Sequence, residues 1–136
     1  MIVNVYTDGA SRNNPGKSAS GYMVLGSDGN LLFKKSFYNG IKTNNVAEYL
    51  AIIAALESVA HEYGYDIELN IYSDSKLVVS QLNGNYKVNS TELKKLNGDA
   101  LGSLKKFTKY SLTHVPRENP NIVEVDASLN ELLDKY

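Results

Sequence analysis

The sequence predicts an α/β fold, a mixed sheet with helices packed on it. Three observations carry this. The run Ile2-Val3-Asn4-Val5-Tyr6-Thr7 is rich in β-branched residues and nearly continuously apolar. That is the pattern of a strand covered on both faces. Two more strand-like runs follow, with an Asp28-Gly29 hairpin signal between them. A long helical stretch then leads to a fourth strand, Ile67 to Ser73. Such a crossover makes that strand parallel to the first.

The first strand ends at Thr7, and Asp8 and Gly9 follow it before the Asn14-Pro15-Gly16 turn. Ala19 to Leu25 alternates small and apolar residues and reads as the second strand. Leu31 to Tyr38 is the third, antiparallel to it and closed by Asn39-Gly40. The strongest helix runs from Val46 to about Glu62, capped by Thr43 or Asn44. Its many alanines suit close packing on a sheet. Glu48 falls in its first turn, where the helix dipole tolerates an acid.

The fourth strand also ends in an acid, Asp74. A short helix spans Ser75 to Leu82, and Asn83-Gly84-Asn85 stops it. A further helix spans about Thr91 to Phe107, weakened by Gly98 and Gly102 at roughly 1 kcal/mol each unless packing needs them. One side of it is leucine-rich, and the other carries Lys94, Lys95, Lys105 and Lys106. Tyr110 to Val115 is the fifth strand. A last helix begins near Ile122, with Asp126 one or two turns in.

Composition bounds the function. At 136 residues the chain suits a single domain, residues 1–136. With 43% hydrophobic and 21% charged residues it reads as globular, not disordered. A net charge of −1 argues against a protein that simply coats nucleic acid. There is no cysteine, which excludes disulfides, thiolate metal sites and a cysteine nucleophile. The N-terminus does not read as a signal peptide, and no apolar run reaches the roughly 20 residues of a membrane helix. A cytoplasmic monomer is expected.

Four acids share one kind of position. Asp8 and Asp74 end adjacent parallel strands, where ligands bind in open α/β sheets. Glu48 and Asp126 sit near helix starts that reach the same rim. Crowded carboxylates repel one another unless cations compensate, and hard oxygen donors select Mg²⁺ or Mn²⁺ over zinc. Two such ions about 4 Å apart stabilise both the attacking and the leaving oxygen of a phosphoryl displacement. The chemical reading is a two-metal phosphodiesterase.

The segments Thr7-Asp8-Gly9-Ala10-Ser11, Asn14-Pro15-Gly16, Thr43-Asn44-Asn45-Val46-Ala47-Glu48, Tyr72-Ser73-Asp74-Ser75 and Val125-Asp126-Ala127 resemble the type 1 ribonuclease H family in order and spacing. The resemblance spans nearly the whole chain. It implies a ribonuclease H-like fold: a five-stranded mixed sheet of order 3-2-1-4-5, flanked by helices on both faces. It implies hydrolysis of the RNA strand of an RNA–DNA hybrid, leaving a 5′-phosphate and a 3′-hydroxyl. By it Asp8 would bridge two Mg²⁺ or Mn²⁺ ions, Glu48 and Asp74 would complete one site, and Asp126 the other. Glu48 would also lie near a 2′-hydroxyl. The Gly9 backbone, Asn14 and Asn44 would contact the RNA strand, with Asn45 beside them. Thr43 would grip a phosphate of the DNA strand. Amides suit a 2′-hydroxyl, since they both donate and accept.

The chain departs from many relatives twice. Asn83 to Ser90 leaves no room for a basic protrusion, so the chain resembles the compact members. Lys94 and Lys95 are the candidates for the missing grip, and Lys76 stands where many relatives carry Gln. After the fifth strand stands Val115-Pro116-Arg117-Glu118, without the histidine of many relatives. His114 precedes the matching valine, and Arg117 or Glu118 is the candidate substitute. Two alternatives accompany the reading: activity also on double-stranded RNA, and an inactive nucleic-acid-binding module.

Overall fold

The computed structural model describes residues 1–136. Its strands are β1 (Ile2–Ser11), β2 (Gly16–Gly26), β3 (Leu31–Lys42), β4 (Glu68–Ser73) and β5 (Lys109–His114). Its helices are α1 (Asn44–Tyr63), α2 (Lys76–Leu82), α3 (Thr91–Leu104) and α4 (Pro120–Leu133). The five strands lie in the order 3-2-1-4-5. β1, β2 and β3 form an antiparallel meander, while β4 pairs parallel to β1 and β5 parallel to β4.

β1 is longer than its apolar run. Its parallel pairing with β4 stops at Thr7 opposite Ser73. Its antiparallel pairing with β2 continues through Asp8, Gly9, Ala10 and Ser11. The expected strand end at Thr7 is thus wrong, because one paired neighbour is enough to carry a strand through polar residues. β3 likewise runs past Asn39-Gly40. The pairing steps from Ser18–Gly40 to Ala19–Tyr38, so Asn39 is the extra residue of a bulge.

Thr43 caps α1 by accepting the Val46 N–H at 3.2 Å. The helix starts at Asn44, so Glu48 lies in its second turn and not its first. The dipole argument for an acid there falls away, since that effect fades beyond the first turn. Ser75 caps α2, Asn119 caps α4, and Pro120 opens α4 two residues before the expected start. α3 ends at Leu104, three residues early, and neither Gly98 nor Gly102 meets a close neighbour. Packing does not require those two glycines.

Helices cover the two faces unequally. On one, α1, α2 and α3 bury Val3, Val5, Leu69 and Ile71 in the main core. On the other, α4 packs on β1, β2 and β3, with Leu129 and Leu133 against Ala19, and Val125 against Met23 and Leu25. Toward β4 and β5 that second face turns polar. Asn70 donates to Asn4 at 3.1 Å and accepts from Ser111 at 2.9 Å. Tyr6 and Tyr72 stack beside them with ring centroids 4.7 Å apart. The first strand is therefore fully buried on the α1 side and half-buried on the other.

One buried polar network sets the register of the α1, α2 and α3 layer. The Tyr49 hydroxyl donates to Gln81 Oε1 at 2.7 Å and accepts from Asn97 Nδ2 at 3.1 Å. Gln81 Nε2 then donates to the Lys87 carbonyl at 3.2 Å. This brings the first turns of α3 to the N-terminal end of α1. The other end of α3 leads to Phe107, which packs on Tyr65 just after α1.

Candidate active site

The site begins where β4 ends. Beyond Thr7, β1 no longer has β4 beside it, and the Glu48 carboxylate accepts the Gly9 N–H there. Asp8 flanks this contact, and Asp74 follows directly on β4. Carboxylate oxygens of Asp8, Glu48 and Asp74 all lie within 4.8 Å of one another. Asp8 and Glu48 are buried, and Asp74 is half-buried. Asp126, exposed on α4, lines the same cleft but stands outside that tight group.

Gly9 is dictated by packing. A Cβ at this position would lie 2.3 Å from the Ala47 carbonyl carbon and 2.4 Å from the Glu48 nitrogen. Only a glycine lets β1 come this close to α1. Ser20 reinforces the contact by donating its hydroxyl to the Ala47 carbonyl at 2.6 Å. Because Glu48 takes the Gly9 N–H, that donor is already engaged.

The electrostatics follow from burial. Asp8 is pushed up to about 7, chiefly by burial and then by the Asp74 charge, with Asp126 adding to it and a hydrogen bond with Glu48 opposing. Glu48 is raised well above the usual carboxylate range by burial and by Asp8 and Asp74. Asp74 is raised by burial, against the pull of the Arg117 guanidinium. The ion pairs of the protein lie elsewhere, so no lysine or arginine neutralises Asp8 or Glu48 by direct contact. Clustered oxygen donors short of positive charge fit a hard divalent cation such as Mg²⁺ or Mn²⁺.

The residues expected to meet substrate divide. Gly9, Asn44 and Asn45 line the cleft beside the acids. Thr43 serves as the α1 cap, and Asn14 stands behind Asn44 instead of on the cleft wall. Asn14 Oδ1 accepts the Asn44 N–H at 3.1 Å, and Asn44 Oδ1 accepts the Ser11 N–H at 2.7 Å. With both carbonyl oxygens committed to backbone donors, both amide nitrogens are turned outward as donors.

Other features had weaker sequence signals. Arg117 and Glu118 line the cleft, whereas His114 does not. The lysine face of the third helix splits. Lys94 and Lys95 precede Asn97 and sit toward the cleft end of α1, while Lys106 lies over the Tyr65 ring at the far end. Tyr49, Gln81 and Asn97 carried no recognisable pattern, because their contacts join separate helices.

A cleft of carboxylates at the carboxyl end of β1 and β4, on a sheet of this order, defines the ribonuclease H-like class. A family model described as reverse transcriptase-like matches residues 6–128. Ribonuclease HI of Halobacterium salinarum is 41% identical over 132 residues, which is 97% of this chain and 64% of that protein. The mycobacterial bifunctional protein Rv2228c is 38% identical over 118 residues, 86% of this chain and 32% of its own length. The chain therefore spans under two thirds of the length of these relatives. The crystal structure of the Halobacterium salinarum RNase H1 superposes with a TM-score of 0.92 at 40% identity, covering 100% of both chains. LC11-RNase H1 in complex with an RNA/DNA hybrid gives 0.90 at 36% identity, covering 98% of this chain and 97% of that one. The chain belongs to the type 1 ribonuclease H family, in the compact form without the basic protrusion.

Two outcomes are expected. Gly9→Ala should cost more than about 2 kcal/mol, since a backbone clash exceeds ordinary overpacking; denaturant unfolding measures it. For Asp8, folding favours the protonated form, so its stabilisation is full below its ordinary value of 3.8 and lost as pH rises through about 7. The melting temperature of the metal-free protein should accordingly fall between pH 5 and pH 8. Millimolar Mg²⁺ or Mn²⁺ should restore it at pH 8, as calorimetry with and without chelator will read.

Proposed function

We propose that this chain hydrolyses the RNA strand of RNA–DNA hybrids. One observation carries the reading: three carboxylates from β1, α1 and the end of β4 converge in a cleft whose rim presents the Asn44 and Asn45 side chains. Family membership and the hybrid bound to LC11-RNase H1 support the same substrate class. No helix of the chain is long and apolar enough to cross a membrane.

Asp8, Glu48, Asp74 and Asp126 are the residues proposed to hold two divalent ions, Mg²⁺ or Mn²⁺. Bound there, such ions supply an activated water and charge stabilisation at the scissile phosphate. Asp8 is central because it touches both Glu48 and the Asp74 and Asp126 charges. The outward amide nitrogens of Asn14 and Asn44, with Asn45, are suited to the 2′-hydroxyls that mark RNA against DNA. Glu48 lies beside them. Thr43, at the mouth of α1, is proposed to meet a phosphate of the DNA strand, where the helix N-terminus favours an anion. Arg117 faces Asp74 from the loop after β5 and offsets its charge. The proposed products are a 5′-phosphate and a 3′-hydroxyl, and residues 1–136 are proposed to act as one monomeric catalytic domain.

The decisive assay incubates labelled hybrid, duplex RNA and branched DNA with the protein, with and without Mg²⁺ or Mn²⁺, beside Asp8→Asn. Cleavage of the hybrid that needs the ion, and a loss of at least about 10²-fold in Asp8→Asn, are expected. Equal cleavage by the variant would end the site assignment. Cleavage of duplex RNA would widen the substrate class, and no cleavage at all would leave a binding module. Changing Lys94 and Lys95 together to Ala should raise KM at low salt. It should also lower the salt slope of hybrid binding by about one per lysine; an unchanged KM would remove the two lysines from the substrate grip.

A further inference from the structure

The loop after β1 and the end of α4 are tied together outside the core. Arg12 Nη2 donates to the Asn130 carbonyl at 3.0 Å and pairs with the Asp134 carboxylate at 2.6 Å. Both acceptors lie in the last turn and cap of α4, the end of the helix dipole that favours a cation. Asn130 in turn points its amide back up the helix. Its Nδ2 stands 3.2 Å from the Asp126 carbonyl and 3.2 Å from Asp126 Oδ2. A carboxylate only accepts, so this contact fixes which end of the amide faces Asp126.

The contrast with the other acids gives the contact a purpose. Asp8 and Glu48 are buried and held by the sheet and by each other. Asp126 is exposed on a helix surface and stands outside the tight group. Its contact with that group is with Asp8, another carboxylate, which does not by itself fix its rotamer. Engaging one oxygen with Asn130 leaves the other for the cleft. The pair alone is weak, as contacts between exposed side chains one turn apart are. Arg12 strengthens it by anchoring the backbone of Asn130 through a charge-assisted bond.

We propose that Asn130 is a positioning residue that aims the Asp126 carboxylate into the cleft, with Arg12 holding Asn130 in place. Ser11, at the end of β1, and Asn14, in the same loop as Arg12, are both bonded to Asn44. The chain of contacts from Asn44 through Arg12 and Asn130 to Asp126 thus joins the two walls of the cleft. The inference rests on the reading of Asp126 as a metal-holding acid.

The test titrates Mn²⁺ into the metal-free full chain by calorimetry, with melting temperature and Mn²⁺-dependent hybrid cleavage alongside. The variants are Asn130→Ala, Asn130→Gln, Arg12→Gln and Asp126→Asn. Asn130→Ala should bind the weaker Mn²⁺ ion about tenfold less tightly, the scale of losing a partner that orients a ligand. Its melting temperature should match the parent. Asn130→Gln, which keeps an amide within reach, should recover most of the affinity, and Arg12→Gln should shift in the same direction as Asn130→Ala. Parental Mn²⁺ binding in Asn130→Ala, while Asp126→Asn binds weakly, would overturn the proposal alone. A loss in Asn130→Ala that tracks melting temperature, or is not recovered by Asn130→Gln, would overturn it too. Parental binding and cleavage in Asp126→Asn would instead overturn the underlying reading of Asp126.

Discussion

The site depends on a backbone contact. β1 and the second turn of α1 meet at Gly9 with no room for a side chain. That approach lets a strand and a helix separated along the chain by two further strands share one carboxylate environment. Glu48 reaches the Gly9 N–H where β4 has already ended, two residues earlier on the β1 ladder. The unequal lengths of two neighbouring strands thus open the space that the acids fill. Ser20 adds a hydroxyl bond from β2 to the same helix turn.

Burial and like charge act together at this place. Asp8, Glu48 and Asp74 each favour their protonated forms more than an exposed acid would, first through burial and then through neighbouring carboxylates, which for Asp74 means Asp126. Such an arrangement destabilises the ionised fold and prepares it to gain from a divalent cation. The protein offers partial compensation at Asp74, chiefly from the Arg117 charge and to a lesser extent from His114.

Around this centre the polar contacts are registers more than fasteners. Tyr49 is one residue from Glu48, and its hydroxyl fixes α2, α3 and the Lys87 backbone relative to α1. Asn44 and Asn14 brace each other across the start of α1. Arg12 ties that brace to α4. Each bond is worth only about 1 kcal/mol. Their shared effect is to hold separate elements at fixed positions about one cleft, which the hydrophobic core, being non-directional, does not do.

The order and type of the elements, the four acids, and the Asn-Pro-Gly and Thr-Asn-Asn segments were legible in the amino-acid sequence, because strand composition, helical periodicity and motif spacing are local properties. Element ends were less so. β1 and β3 extend past their apolar runs through pairing with β2, and α1 begins early enough to move Glu48 into its second turn. Tertiary structure alone decided that Gly9 is a packing residue. It separated Lys94 and Lys95 from Lys106, and it left Asp126 outside the tight carboxylate group. These facts depend on partners tens of residues away along the chain, and no short-range pattern records a contact between side chains that only folding brings together.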